Sequence, residues 1–225
     1  MKLVSLLCRG ESLKNINKLS KANNCILVNA FHHELTNNNV HEYVSKCKTV
    51  THVLSPGAYF PAAGAAKIYK NYNFDKIVLP YIKQCSPSIP DSIQNLEGPN
   101  GILPVEYLSD INKEDMVKTP RYEFTAPTTG LDALLYCVNQ LKPDQINIIG
   151  LDFYDQSGYF SKSHGREFSK EVIDRKHAIR SGEPTDRMQK FFIKIIEKNL
   201  NTQFNLYTKS NIEYKNKNLK VSYYE

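Results

Sequence analysis

Several short stretches of this chain place anion-binding or proton-moving groups where an apolar run turns polar. The first, Cys8-Arg9-Gly10-Glu11-Ser12, follows the run Leu3–Leu7. Gly10 permits close backbone approach and Ser12 stands near a helix start, so exposed N–H groups there could hold a phosphate; an ordinary strand-to-helix turn would look the same. The stretch is neither a Walker A sequence nor a GxGxxG fingerprint. Thr128-Thr129-Gly130 opens an apolar helical pattern and offers two hydroxyls and a glycine to an anion, or a plain helix cap. Gly150-Leu151-Asp152-Phe153-Tyr154, with Tyr159 beyond, leaves a strongly β-like run. A carboxylate there can accept from sugar hydroxyls and a tyrosine can donate to a phosphate oxygen, unless Asp152 only caps the turn.

Proton transfer needs a group titrating near neutrality, and His164 and His177 lie in the polar stretch Asp155–Gly182. Either could be the base that takes a proton from an attacking hydroxyl, or a surface histidine. Arg175, Arg180 and Arg187 add anion-binding capacity to the same region or form a solvated charged face. His32 and His33 are adjacent, so their side chains diverge if the segment is a strand, and they make no HExxH metal motif.

The elements that must position these groups alternate. Strands are expected at Lys2–Cys8, Cys25–Asn29, Thr49–Leu54, Lys76–Leu79, Gln145–Leu151 and Phe204–Tyr207. Helices are expected at Leu13–Ser20, Val40–Cys47, Ala62–Tyr72, Leu131–Leu141 and Asp186–Lys198, the last capped by Thr185. Between Pro80 and Tyr122 the pattern weakens into a proline-rich excursion, and the Lys/Asn-rich tail after Tyr207 reads as a solvated end. Strand–loop–helix alternation predicts an α/β fold, a Rossmann-like, mostly parallel sheet with flanking helices, whose ligands sit at the carboxyl ends of the strands.

A chain of 225 residues with 41% hydrophobic content can bury one sizeable core or a core with a small lid. Its 29 basic and 23 acidic residues give a net charge of +6, which helps draw in an anionic ligand without naming it. The lysines are scattered among acids, with no zinc-finger spacing or basic helix, so nucleic acid is not the expected partner. Five cysteines without a CxxC pair read as buried thiols in a reducing, cytoplasmic setting. No apolar run is long enough to span a bilayer, which leaves peripheral membrane contact at most.

Taken in order, the blocks Gly10-Ser12-Leu13-Lys14, Asn29 with Phe31, Lys46-Cys47-Lys48 with Val50, Thr128 with Gly130, and Gly150 with Asp152-Phe153-Tyr154, then Tyr159 and Thr185-Asp186, resemble the small bacterial sialyltransferases of glycosyltransferase family 42. The resemblance implies a GT-A-like sialyltransferase variant, with a nucleotide-binding core at 1–154 and 184–225 and a lid-like segment at 155–183. It implies CMP-sialic acid as donor substrate and no separate cofactor or metal. The acceptor would be a hydroxyl of an oligosaccharide or lipid-linked glycan, attacked with inversion. Further implications are a cytoplasmic protein, at most peripheral at the inner membrane face, and a homo-oligomer as the assembly to look for. By resemblance, Arg9, Gly10, Ser12 and Asn29 line the nucleotide pocket, Thr128 and Thr129 approach the donor, and Gly150, Asp152 and Phe153 contact the nucleoside. Tyr154 and Tyr159 steady the leaving phosphate, and His177 or His164 is the base. The chain departs from the pattern at Arg9, where the family has Asn, at Val53, at Ala126 in place of an arginine, and at Ser181 where the histidine is expected. Those departures keep open a different nucleotide-sugar, or a noncatalytic nucleotide- or glycan-binding protein.

Overall fold

The structure is a computed structural model and describes residues 1–55, 62, 65–80, 91–108, 128–153 and 184–224, with only the backbone of 184–187. In chain order the first elements are β1 (Leu3–Leu7), a 3-10 segment Glu11–Lys18, β2 (Asn24–Val28), a second 3-10 segment Phe31–Thr36, α1 (Asn38–Ser45) and β3 (Thr49–Val53). Next come α2 (Ala66–Tyr69), β4 (Phe74–Leu79), α3 (Asp91–Gln94), a small antiparallel pair β5 (Glu97–Gly98) and β6 (Gly101–Ile102), and β7 (Val105–Tyr107). The chain closes with α4 (Thr129–Tyr136), β8 (Gln145–Ile149), α5 (Pro184–Lys198), β9 (Gln203–Thr208) and β10 (Leu219–Tyr223).

Eight strands form one sheet in the order β10-β9-β8-β1-β2-β3-β4-β7, and every neighbouring pair is parallel. Parallel strands need crossovers that lay helices on the sheet, so the central strands are buried on both faces and read as mostly apolar runs. That explains LVSLL, NCILV and QINII, in each of which the last four residues are buried. On one face Val4, Leu6, Ile146, Ile148, Phe204 and Leu206 pack against α4 and α5. α5 supplies Met188, Phe191, Phe192, Ile195 and Ile196, a helical stripe that faces this core. On the other face Leu7, Leu27, Val50, Ile77 and Leu79 meet Leu13 and Ile16, Phe31 and Leu35, and Val40 and Val44. Each such fully buried aliphatic side chain contributes about 1.5–3 kcal/mol relative to exposure.

Several expectations change in detail. Glu11–Lys18 is 3-10 with a kink at Asn15, not an α-helix over 13–20, and Asn15 Nδ2 donates back to Ser12 O at 3.5 Å. Such local bonds by Asn compete with the α-helical ladder. In the segment expected to be helical over 62–72, the helix is α2, and residues 70–73 turn into β4. α4 begins at Thr129 and continues through a π turn, Cys137–Leu141, that ends on Lys142 in the left-handed region (φ 46°), just before Pro143. Thr185 lies inside α5, because Pro184 is its first residue, a position where the missing N–H costs nothing. The proline-rich excursion contributes the edge strand β7, too short to announce itself.

The Lys/Asn-rich tail is not a solvated end. β10 pairs with β9 in register from Leu219↔Phe204 to Tyr223↔Thr208. Buried Asn218 anchors it, Nδ2 lying within hydrogen-bond distance of the carbonyls of Ile196 (3.2 Å), Asn199 (3.1 Å) and Thr202 (3.3 Å). The thiol reading holds for Cys8 and Cys137, which are buried and unbridged. It does not hold for Cys25 and Cys47, which form a disulfide with Cα atoms 6.3 Å apart; their separation of 22 residues matches no sequence motif. Cys85 lies outside the described residues. Among the described residues no helix is long and apolar enough to cross a membrane.

Candidate functional site

The strand order places a crevice before any side chain is considered. From β1 the chain proceeds to β2 on one side, and from β8 it proceeds through α5 to β9 on the other. Loops leaving two adjacent parallel strands in opposite directions open a cleft at their carboxyl ends, the place where α/β sheets bind ligands. Here the loops are Cys8–Ser12 and Gly150–Phe153, nearly 140 residues apart in sequence.

The two loops are tied together. Cys8 N donates to Ile149 O and Gly10 N to Gly150 O, each at 2.8 Å. Ser12 N donates to Asp152 Oδ2 and Gly150 N donates to Ser12 Oγ, both at 2.9 Å. Asp152 Oδ1 accepts from Thr208 Oγ1 at 3.0 Å and Lys209 N at 3.2 Å, and Ser210 Oγ donates to Asp152 O at 2.6 Å. Asp152 is thus buried as the junction of β1, β8 and β9, with both oxygens engaged by protein donors. Two glycines allow this approach. A Cβ on Gly10 would lie 2.3 Å from Asp152 Oδ2, and one on Gly150, whose φ is +75°, would lie 2.2 Å from Cys8 O. Phe153 has a positive φ of 46°, and its buried ring meets Phe192 edge-on at 5.4 Å. What Phe153 offers the crevice is therefore backbone.

α4 starts against this junction, since a Cβ on Gly130 would lie 3.0 Å from Cys8 Sγ and 3.1 Å from Leu151 Cδ1. Thr128 is the cap residue in extended geometry (φ −65°, ψ 155°), and its side chain makes no capping hydrogen bond. Thr128 and Thr129 are half-buried, next to the positive end of the helix dipole. Asp132, four residues after Thr128, is buried, and its Oδ1 finds no hydrogen-bond partner among the described residues. Burial pushes the pKa of its carboxyl well above the ordinary carboxylate range. A carboxylate within the apolar run TGLDALLY was the sequence signal for it.

Along the crevice toward β2 and β3 the polar groups are arranged differently. Arg9 Nε donates to Glu34 Oε1 at 2.9 Å, a buried pair that joins the end of β1 to the 3-10 segment after β2. Asn29, at the end of β2, has φ +53°, a conformation asparagine tolerates better than most residues. Its Oδ1 accepts from Ser55 N at 3.0 Å and Ser55 Oγ at 2.8 Å. His52 on β3 is buried, its Nδ1 2.8 Å from Tyr69 Oη and its Nε2 against the carbonyl oxygen of Asn29. Burial lowers its pKa to about 4, and nearby Arg9 also acts downward, while the Asn29 carbonyl pulls the other way. His52 and Ser55 are site residues that composition and spacing did not single out.

His32 and His33 do not diverge, because they lie in a 3-10 segment instead of a strand; their ring centroids are 3.9 Å apart. The pKa of His33 is lowered by burial and by the Arg9 charge. Among the described residues no group of three or more His, Cys, Asp or Glu is arranged to hold a metal ion.

The fold thus brings Arg9, Gly10, Ser12, Asn29, Thr128, Thr129, Gly150, Asp152 and Phe153 to the strand ends around one crevice. Tyr154, Tyr159, His164 and His177 lie outside the described residues, as do Arg175 and Arg180; Arg187 is described only in its backbone.

No family model and no curated protein matches the sequence. Solved structures match in fold. A variant of the sialyltransferase CST-II in complex with CMP aligns over 92% of this chain and 81% of its own, at 16% identity and a TM-score of 0.61. CstII from Campylobacter jejuni in complex with the substrate analogue CMP-3FNeuAc aligns over the same shares at 16% identity and a TM-score of 0.56. The monofunctional alpha-2,3-sialyltransferase Cst-I from Campylobacter jejuni aligns over 92% of this chain and 76% of its own, at 16% identity and a TM-score of 0.56. At such identities the likeness is one of fold.

Proposed function

We propose that this protein is a sialyltransferase-like glycosyltransferase that binds CMP-sialic acid in the crevice between β1 and β8 and transfers the sugar to a glycan hydroxyl. The observation that carries the reading is the switch-point crevice, framed by Gly10–Ser12 and Gly150–Phe153, in a fold shared with sialyltransferases solved with CMP or a CMP-sugar analogue. Gly10 and Gly150 let the two loops pack against each other, which makes a main-chain wall at the strand ends on which the flat base of a nucleotide can lie. Thr128, Thr129 and the positive end of α4 supply hydroxyls and N–H groups to the anionic part of the donor.

The chemistry is a direct displacement with inversion that needs no bound metal. His177, or failing it His164, takes the proton of the acceptor hydroxyl as that oxygen bonds to the anomeric carbon. The bond from that carbon to the phosphate oxygen breaks, and Tyr154 and Tyr159 donate to the departing phosphate. A preorganised donor of this kind is worth about 2.7–4 kcal/mol in the transition state. The segment 155–183 closes over the reacting atoms and keeps water from the sugar nucleotide. The acceptor is an oligosaccharide or a lipid-linked glycan, and any membrane contact is peripheral, at the inner face.

Calorimetry with CMP, UMP, GMP and AMP under one buffer condition tests the donor pocket. Selective, saturable CMP binding followed by transfer from CMP-sialic acid upholds the reading, and absence of binding to any nucleotide by folded protein removes it. One observation favours a second reading. The buried Arg9–Glu34 pair occupies a position where an asparagine was expected. A donor that uses another base or sugar would show itself as a preference for UMP, GMP or AMP in the same panel.

A further inference from the structure

Asn29 is held by more of the structure than a loop asparagine needs. Ser55 N–H can only donate, so the Asn29 amide atom 3.0 Å from it must be oxygen, which fixes the orientation of the carboxamide. Ser55 Oγ donates to the same oxygen at 2.8 Å. With both lone pairs of Oδ1 engaged, Nδ2 is turned away from Ser55, and among the described residues nothing accepts from it. Asn29 is half-buried at the carboxyl end of β2, beside β1.

The Asn29 backbone is fixed from below. Its carbonyl can only accept, so His52 Nε2 must carry the proton, and Nδ1 then accepts from Tyr69 Oη at 2.8 Å. The ring is further confined by Tyr69 and Phe74, with centroids 5.7 and 6.0 Å away. Asn29 N donates to Val53 O at 2.8 Å, which completes the tie to β3. A left-handed backbone locked at N–H, C=O and side-chain oxygen leaves one group unassigned, the NH2.

We infer that Tyr69, His52 and Ser55 are positioning residues that hold the Asn29 NH2 toward the crevice as a fixed donor to an acceptor oxygen of the bound nucleotide. This rests on the nucleotide reading above. The positioning acts in one direction: the carboxamide presents a donor and hides its acceptor, so it favours a phosphate, sugar or carbonyl oxygen over a donor group of the ligand.

The test combines CMP binding by calorimetry with nitrogen-15 NMR of His52. Ser55→Ala loses one of the two bonds that orient the amide and weakens CMP about fivefold, while Ser55→Thr, which keeps the hydroxyl, stays within about twofold of wild type. Asn29→Asp replaces the donor by an acceptor and weakens CMP more than about tenfold. If cytidine shows the same losses, the acceptor is on the nucleoside; if only CMP shows them, it is on the phosphate. The spectrum shows His52 neutral and protonated at Nε2 in the unliganded protein, and Tyr69→Phe shifts that signature by releasing Nδ1. Wild-type affinity in folded Ser55→Ala, or a proton at Nδ1 of His52, overturns the inference. A wild type that binds no nucleotide removes the functional reading and with it the ligand for Asn29, even if the His52 tautomer is as stated.

Discussion

The two halves of the crevice use polar residues in opposite ways. At the β1–β8 junction the side chains look inward: Ser12, Asp152, Thr208 and Ser210 bond to one another and to main chain, and Asp152 joins three strands. At the β2–β3 ends the bonds hold Asn29 by its oxygens, and among the described residues nothing accepts from its NH2. The first half spends its polar groups on joining strands, and the second fixes one carboxamide by its oxygen and leaves its nitrogen unspent. A polar residue at a strand end therefore does not declare its job by type. What decides is whether its groups are already engaged, because a buried group without a partner is costly and a group at the cleft can wait for a ligand.

The largest effect that would separate the halves falls on Gly150. Gly150→Ala forces a side chain into a left-handed backbone and into Cys8 O, and it should cost about 4 kcal/mol or leave no folded protein, read by urea unfolding. A mild loss there would mean that the junction is looser than its hydrogen bonds indicate. Next, Asp152→Ala strands the donors of Ser12, Thr208 and Lys209 and should lower stability by about 3 kcal/mol in the same assay. If stability held and nucleotide affinity alone fell, Asp152 would belong with Asn29 as a ligand contact and the contrast would collapse.

The β2–β3 half should show itself through pH. Unfolded, His52 has an ordinary pKa of 6.5, and folded it is held near 4 by burial, with Arg9 acting the same way. The unfolded chain then binds a proton that the folded one refuses. The contribution is fully present above pH 6.5 and falls away as pH drops toward 4, about 2.5 kcal/mol between pH 7 and 4.5. Urea unfolding across that interval should show the slope, and His52→Gln should remove this component. The smallest effect is on Thr128. Because its hydroxyl makes no capping bond, Thr128→Ala should change stability by less than about 0.5 kcal/mol, where a true cap costs about 1 kcal/mol. A drop in CMP affinity from the same change would mark the hydroxyl as a ligand contact.

The sequence by itself determined the architecture. Runs such as LVSLL and QINII, separated by amphipathic stretches such as Met188–Ile196, can bury their apolar groups only as central strands of a parallel sheet beneath helices. It also located the polar switches after β1 and β8 and the hydroxyls that open α4, so Gly10, Ser12, Thr128, Gly150 and Asp152 were legible as candidates, while Asn29 entered through the family resemblance. The edges were not: β7 has only three residues, and the alternation L-K-V-S-Y of β10 sits in a Lys/Asn-rich stretch; each completes a ladder that β4 or β9 offers, with Asn218 anchoring the second. Nor was the division of labour within the site. Ser12 and Asp152 meet across 140 residues, and His52, Tyr69 and Ser55 converge on Asn29 from two elements. Only the tertiary structure decides which of these polar atoms find a partner, because hydrogen bonds form by distance and direction in space, and neither is written in the spacing along the chain.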